Sequence, residues 1–293
     1  MKIVDIIKKY LPKFIYWKRA TWTRSQWFCY DYMKLFLKYK ENNEYQAQKT
    51  NEEVPNNQVI WIYWKQGEKN APPIVKKCIS SIRNKAGKHP VIVLDQENLH
   101  KYIIMPDFIE QKHIQNKISE ALYADLLRIS LLLAYGGYWC DATCFLSEEI
   151  PEIIEKSPFF MFNRDLLYYE TSPCECSSWF IKANKEDFIL TKLRNVLFHY
   201  FKQHSIILDY YIFHITLGLL IHTDVQIKKA WQQKPYICNM NPHVLLFSFS
   251  EPYDEAKYKH ILNSSFIHKL TYKYSLEQIH EKQENIIHHL LNN

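Results

Sequence analysis

Short apolar runs alternate with longer stretches of helical periodicity from residue 58 onward. The runs typical of buried strands are residues 58–64, 90–94, 159–162 and 179–183. Between the first two, Pro72-Pro73 suits the first turn of a helix that ends near Arg83. A leucine-rich helix is predicted over 119–135. This alternation predicts an α/β fold with an open, mostly parallel sheet flanked by helices.

Helical periodicity dominates the C-terminal third of the chain. Residues 205–221 form an apolar run of 17 residues, which is marginal for a membrane span, and Asp209 and His214 lie inside it. A buried helix at the edge of a site fits this run better. Leucine and isoleucine then recur at helical spacing, which predicts an amphipathic helix over 276–293 that packs on the core.

The N-terminal segment differs from the rest in charge. Residues 1–40 carry ten basic and two acidic groups, or +8, so the other 253 residues sum to −2 of the net +6. Tryptophans at 17, 22 and 27 lie among these charges, which favours helices on an anionic membrane surface. Helices packed on the core with a solvated basic face are the alternative. No nucleic-acid partner is expected, because no recognised motif accompanies the charge.

Composition excludes several kinds of site. Five glycines are too few for a glycine-rich phosphate loop, so a bound phosphate needs side chains or a metal. The seven cysteines are odd in number and no export segment precedes them, which predicts free thiols in the cytoplasm. Cys140, Cys144, Cys174 and Cys176 offer an alternative zinc site, although their spacing is poor for one.

Residues 119–145 carry the clearest chemical signal. The apolar helix stops at Gly136-Gly137, and a short aromatic strand follows and ends at Asp141. An α/β fold places a charged group at a cleft in this way, which predicts an anionic ligand bound through a metal. A turn or capping role for Asp141 remains open.

Asp125, Arg128 and His268 each have two interpretations. Asp125 and Arg128 are one turn apart and form either a surface ion pair or a functional pair; the buried character of their helix favours function. His268 lies between apolar residues and is either a core histidine or a metal ligand. Lys269 and Lys273 after it indicate a phosphate-binding turn.

These motifs resemble a known family. Residues 124–128, 135–137 and 141–143 are similar to the sugar-binding DXD region of family 32 glycosyltransferases, in the bacterial capsular polysaccharide synthesis branch. The other matching stretches are residues 60–67, 71–73, 209–214 and 267–270. The match covers about residues 58–275 in order. The expected organisation is therefore an N-terminal segment and linker (1–57), a GT-A-like glycosyltransferase domain (58–275) and a C-terminal helix (276–293).

The resemblance implies a nucleotide-sugar donor and transfer with retention of anomeric configuration. Asp125 would hold ribose or donor-sugar hydroxyls beside Arg128, and Trp61 would stack on the base. Asp141 would meet a divalent metal and the diphosphate, with His268 completing the metal shell. The remaining implied donor-binding residues are Gly136, Gly137, Thr143, Lys269 and Lys273.

One departure from the family pattern affects the metal. Thr143 stands where the DXD motif has its second acid, so Asp141 is the motif's sole carboxylate. Mg²⁺ and Mn²⁺ prefer oxygen ligands, and Mn²⁺ also accepts an imidazole, so either remains the expected cofactor. Asp141 and Asp209 are the candidate catalytic groups, with Asp209 acting on the acceptor hydroxyl or the oxocarbenium charge.

The expected function is therefore a hexosyltransferase for surface polysaccharide. It would use UDP-galactose or UDP-glucose ahead of GDP-mannose, with a lipid-linked oligosaccharide as acceptor. The enzyme would lie on the inner face of the plasma membrane, held by residues 1–40. The alternatives are a metal-dependent phosphoester hydrolase and a non-catalytic membrane-surface module.

Overall fold

The computed structural model describes residues 15–39, 44–55, 58–164, 172–274 and 285–292. The helices are α1 (Ile15–Met33), α2 (Pro73–Lys85), α3 (Asp107–Ile114), α4 (Glu120–Tyr135), α5 (Glu152–Glu155), α6 (Phe188–Gln203), α7 (Ile212–Thr223), α8 (Val225–Gln233), α9 (Asn241–Phe247), α10 (Glu255–Asn263) and α11 (Ile286–Asn292). The strands are β1 (Gln48–Lys49), β2 (Ile60–Tyr63), β3 (Val91–Leu94), β4 (Ile103–Ile104), β5 (Gly137–Cys140), β6 (Cys144–Leu146), β7 (Phe159–Asn163), β8 (Cys176–Ala183) and β9 (Ile267–Lys269).

The central sheet is mixed and has the strand order β3-β2-β5-β8-β7. Strand β2 pairs in parallel with both β3 and β5, whereas β8 runs antiparallel to its neighbours β5 and β7. Four strands therefore point the same way and β8 is reversed. The α/β class and the mostly parallel sheet flanked by helices are confirmed.

Apolar side chains fill both faces of this sheet. Successive residues of a strand point to opposite faces of the sheet. Trp139 therefore joins the first core, which lies under α4, α6 and α7, whereas Tyr138 and Cys140 join the second core, which lies under α2. The same division separates the cysteines. Cys140 and Cys144 belong to the second core and Cys174 and Cys176 to the first, so these four thiols do not gather as a zinc site needs.

The turn from α4 to β5 requires its two glycines. Helix α4 begins with a cap, because the Ser119 hydroxyl accepts a hydrogen bond from Leu122 N at 3.2 Å. It ends at Tyr135, and the capping residue Gly136 has a φ of 71°, followed by Gly137 at 95°. A Cβ atom at residue 137 would lie 2.3 Å from the carbonyl oxygen of Val59. The glycines thus allow the helix to stop and β5 to approach β2.

The segments outside the sheet refine three predictions. Helix α7 begins only at Ile212, so the first part of the apolar run 205–221 is irregular rather than helical. Strand β1, within the predicted linker, pairs with β4. The predicted helix over 276–293 is described only from residue 286, and residues 276–284 lie outside the described ranges. In the parts of the chain that the structure describes, no helix has the length and apolar character that a membrane crossing demands.

Helix α1 buries one face against the rest of the fold. Cys29, Tyr30 and Met33 belong to the first core, whereas Trp27 and Phe28 are exposed. Helix α1 therefore packs on the core, as expected from the alternative interpretation of the N-terminal segment.

Candidate functional site

A cavity of about 680 Å³ opens at the carboxyl edge of the sheet. Strands β2 and β5 are parallel, so the residues that follow them, Trp64 and Asp141, lie at the same edge. Helix α4 supplies Asp125 and Arg128 to one wall, and the end of β9 supplies Lys269. The topology thus brings the charged side chains of residues 125–141 together with Lys269, which is 128 positions from Asp141.

Asp141 is held by cations on both of its oxygens. Oδ2 accepts a hydrogen bond from Lys269 Nζ at 2.9 Å, and Oδ1 lies 3.3 Å from Arg128 Nη2. The indole N–H of Trp139 also donates to Oδ1, at 2.8 Å. Burial raises the pKa of Asp141, but Lys269 and Arg128 outweigh that effect and hold the pKa below its usual range. Asp141 is therefore ionised at neutral pH.

Arg128 joins the two acids of the cavity. Its Nη1 lies 3.2 Å from Asp125 Oδ1, its guanidinium carbon lies 5.0 Å from the centre of the Trp139 ring, and it also donates to the Ser178 carbonyl. Asp125 additionally accepts from Ser178 Oγ at 3.3 Å. Burial raises the pKa of Asp125 to about 6, and the Asp141 charge adds to this rise while Arg128 opposes it. The pair is buried rather than a surface ion pair.

The opposite wall is basic. Lys269 Nζ also donates to Thr143 Oγ1 at 2.5 Å, and Lys273 lies four residues further along the same wall. Burial lowers the pKa of Lys269, but the Asp141 charge more than reverses this and holds it above the usual value. Both cations line the cavity, so it can neutralise an anionic ligand with side chains alone.

Aromatic side chains stand at the β2 end of the cavity. Trp64 and Tyr272 contact edge to face, with ring centres 5.1 Å apart. Within the described ranges, the buried Nε1 of Trp64 has no hydrogen-bond partner. Beside them, Lys65 Nζ and Tyr63 Oη donate to Glu120 at 2.8 and 2.9 Å. Trp64, Lys65 and Glu120 were not among the predicted site residues, although the first two lie within the 60–67 motif.

Comparison with known proteins identifies the family. A family model described as "Capsular polysaccharide synthesis protein" matches residues 13–290. The chain belongs to this family. A curated relative, "O-glycosyltransferase braB" of Annulohypoxylon truncatum, is 27% identical over 113 residues, which is 36% of this chain and 27% of that protein. The chain thus matches about a quarter of that relative's length.

A solved structure, "PaToxG Glycosyltransferase", is also similar. The alignment covers 85% of this chain and 95% of that one, with 13% identity and a TM-score of 0.39. A likeness at this level carries no argument about the site. The family match begins at residue 13, whereas the resemblance seen in the sequence begins at residue 58.

Six predicted site residues of this capsular polysaccharide synthesis protein line the cavity: Asp125, Arg128, Asp141, Thr143, Lys269 and Lys273. The structure places the other predicted residues elsewhere. Gly136 and Gly137 precede or begin β5, at the opposite end of the strand from Asp141, and serve the backbone turn.

Trp61 is a core residue rather than a cavity residue. It is 0% exposed, and its indole N–H donates to the Gly136 carbonyl at 3.2 Å. A ring enclosed in this way offers no face to a base, which corrects the expected stacking. Trp64, three residues later, lines the cavity instead.

Asp209 supports a turn. Its Oδ1 accepts from the backbone N–H of Tyr211 at 2.8 Å, and its Oδ2 accepts from Ser25 Oγ at 3.2 Å. It therefore ties the loop before α7 to helix α1 and is not among the cavity-lining residues. Tyr210 and His214, which follow Asp209 in the sequence by one and five residues, do line the cavity.

His268 and Asp141 do not share the cavity. His268 is 0% exposed, and its Nε2 lies 3.2 Å from Ser147 Oγ and 3.3 Å from the Leu262 carbonyl oxygen. Burial lowers its pKa to about 4. Lys269 is the next residue of β9 and faces Asp141, so alternation turns His268 to the other side. This corrects the expected metal pair.

Among the described residues, side chains alone do not provide the full ligand set of a divalent cation around Asp141. Across the described part of the chain, no group of three His, Cys, Asp or Glu side chains is arranged to hold a metal ion. The Lys269 ammonium bridges Asp141 and Thr143, the two oxygen ligands that the motif would offer. Mg²⁺ is usually bound through one or two carboxylates together with substrate phosphates and waters, so a divalent cation at Asp141 would take the position that the Lys269 ammonium holds.

Proposed function

We propose that the protein is a glycosyltransferase of the GT-A-like, family 32 type that moves a hexose from a nucleotide-sugar to an acceptor in capsular polysaccharide synthesis. Family membership supports the biosynthetic context, and the name of the curated relative supports the transferase activity. The observation that carries the proposal is the ionised Asp141 fixed between Lys269 and Arg128 in a cavity. Such a site presents fixed cations to a diphosphate and carboxylate oxygens to sugar hydroxyls.

Each part of the donor has a matching region of the cavity. Trp64 and Tyr272 would flank the base, and Lys269 and Lys273 would neutralise the diphosphate. Asp125, which accepts hydrogen bonds when ionised, would hold hydroxyls of the sugar or ribose. A uridine or guanosine diphosphate hexose satisfies these demands, with UDP-galactose and UDP-glucose favoured over GDP-mannose.

The reaction breaks the bond between the sugar C1 and the diphosphate oxygen and forms one between C1 and an acceptor hydroxyl oxygen. Negative charge develops on the leaving oxygen, where Lys269 would stabilise it. The acceptor proton would pass to that oxygen, so attack occurs on the same face and configuration is retained. Asp125 and Asp141 are both engaged by Arg128 and are poorly placed as protein nucleophiles, which disfavours a covalent glycosyl-enzyme intermediate and makes front-face attack the proposed route to retention.

A lipid-linked oligosaccharide is the proposed acceptor, with the enzyme at the inner face of the plasma membrane. The +8 charge of residues 1–40 and the exposed Trp27, Phe28 and Leu35 support membrane contact, because cations attract anionic headgroups and rings favour the interface. Sedimentation with anionic vesicles tests this. Loss of binding when the exposed Trp27, Phe28 and Leu35 are replaced by serine supports the contact, whereas unchanged binding contradicts it.

Nucleotide release from a donor panel tests the proposed activity. The purified protein is incubated with UDP-glucose, UDP-galactose or GDP-mannose, with and without a glycoside acceptor. Release that the acceptor accelerates supports transfer. Free sugar formed at the same rate without acceptor favours hydrolysis, and no release from any donor contradicts both.

A further inference from the structure

A second cavity, of about 470 Å³, adjoins the first. Five residues line both cavities: Asp141, Ser178, Tyr210, His214 and Lys269. A molecule in the second cavity would therefore meet the same Asp141–Lys269 pair that we assign to the donor diphosphate. This shared wall is where two substrates of one reaction need to meet.

The rim of the second cavity is apolar and exposed. Tyr210 is 64% exposed, Phe247 69% and Met240 39%. His243 lies nearly parallel to the Phe247 ring, with ring centres 6.2 Å apart and an interplanar angle of 26°. Flat apolar faces of this kind suit the C–H faces of a sugar ring.

Polar groups also lie inside the cavity. Asn239 Nδ2 donates to Ser177 Oγ at 2.7 Å, and the Asn239 carbonyl lies 2.6 Å from His243 Nδ1. Among the residues that the structure describes, the buried Trp179 Nε1 has no hydrogen-bond partner. A buried N–H without a partner costs free energy, which a hydroxyl ligand would recover. An alkyl chain offers no such acceptor.

His214 provides a second hydrogen-bonding group on the shared wall. Its buried Nδ1 also lacks a partner within the described ranges. Burial, followed by the Arg128 and Arg164 charges, lowers the pKa of His214 to about 3, so the ring is neutral at physiological pH. A neutral imidazole offers both a donor and an acceptor nitrogen to a hydroxyl.

We propose that the second cavity binds the terminal sugar of the acceptor, with its ring against Phe247 and the reacting hydroxyl at the wall shared with the donor cavity. This inference rests on the proposed transferase function. It assigns Phe247 and Trp179 to acceptor recognition and His214 to contact with the acceptor hydroxyl.

Ligand-observed NMR tests this site on the full chain with UDP or GDP present at saturation. The probes are the methyl α- and β-glycosides of glucose, galactose, mannose and N-acetylglucosamine. We expect saturation transfer to at least one glycoside, reduced about fivefold or more by Phe247→Ala. Trp179→Phe, which keeps a ring but removes the N–H, should reduce it about threefold. Phe188→Ala, at an exposed phenylalanine outside both cavities, is the matched control and should retain the signal.

Nucleotide affinity separates failure of this inference from failure of the proposed function. Calorimetry should show that Phe247→Ala changes the nucleotide Kd less than twofold. If nucleotide binds but no glycoside does, or if the glycoside signal survives Phe247→Ala, the acceptor site is overturned. If neither UDP nor GDP binds the wild-type protein, the proposed function fails first, and this inference fails with it.

Discussion

The two ends of strand β5 meet different demands. At its amino end, Gly136 and Gly137 have positive φ values, and an added Cβ atom would meet neighbouring backbone at 2.8 and 2.3 Å. At its carboxyl end, Asp141 enters a cavity and is fixed by Lys269 and Arg128. Both ends carry motif residues, yet one end serves packing and the other chemistry. A motif therefore marks a segment without assigning a role to each residue.

The largest effect is expected at the amino end of β5. Gly137→Ala forces Cβ against Val59 in a backbone conformation that strains any L side chain. We expect a loss on the order of 4 kcal/mol in the free energy of unfolding, measured by urea denaturation. Gly87→Ala is the matched control: its φ is 57°, but the nearest atom would be 3.5 Å away. Its cost should be about 1 kcal/mol, from backbone strain alone. Equal costs for the two variants would contradict the packing role of Gly137.

The carboxyl end should respond more in activity than in stability. Asp141→Asn removes the charge that positions Lys269 and Arg128, while the side-chain volume is kept. Nucleotide release should fall about 100-fold, while the denaturation midpoint falls far less than in Gly137→Ala, since only the ion pairs of Asp141 with Lys269 and Arg128 are lost. Thr143→Val, which removes only a hydroxyl contact to Lys269, should have a smaller effect. Wild-type release rates in Asp141→Asn would remove the proposed site.

The pH dependence of the cavity should follow Asp125. Its pKa of about 6 lies above the ordinary 3.8, so ionisation disfavours the fold. Its contribution to stability is therefore fully present below pH 4 and is lost as pH rises through 6. The wild type should lose stability relative to Asp125→Asn over this window. Donor kcat/KM should instead rise through pH 6 as the carboxylate becomes available, and this limb should be missing in Asp125→Asn. If the rise in donor kcat/KM through pH 6 persists in Asp125→Asn, a group other than Asp125 causes it.

The smallest effect is expected from metal removal. Lys269 already occupies the position between Asp141 and Thr143, so side chains would supply the positive charge that a divalent cation would bring. Chelation with EDTA should slow nucleotide release less than about threefold, because the fixed cations remain in place. Complete loss of release in EDTA, restored by Mn²⁺, would show that a metal is required.

Much of the fold was predictable because strand and helix patterns differ in period and length. The strands that build the sheet and the capped helix over 119–135 all appear. The cavity residues that follow strands or lie on α4 were also identified, since parallel strand ends meet at one edge. The reversal of β8 was not predictable, because its apolar run looks the same in either direction.

The misplaced residues share a physical cause. Strand β2 is buried throughout, so its apolar pattern cannot show that Trp61 faces the core. Strand β9 has three residues, too few to reveal which of His268 and Lys269 faces the cavity. Asp209 contacts Ser25, 184 positions away, which no local pattern reports.

These neighbours on β9 allow the most direct test of the central claim, that fixed side-chain cations hold the donor diphosphate. UDP and GDP are titrated calorimetrically into the wild type, Lys269→Met and His268→Gln. We predict that Lys269→Met weakens nucleotide binding about 30-fold, as loss of a charge-assisted contact of about 2 kcal/mol requires, and that His268→Gln changes it less than twofold. Wild-type affinity in Lys269→Met, with loss of binding in His268→Gln, would contradict this account.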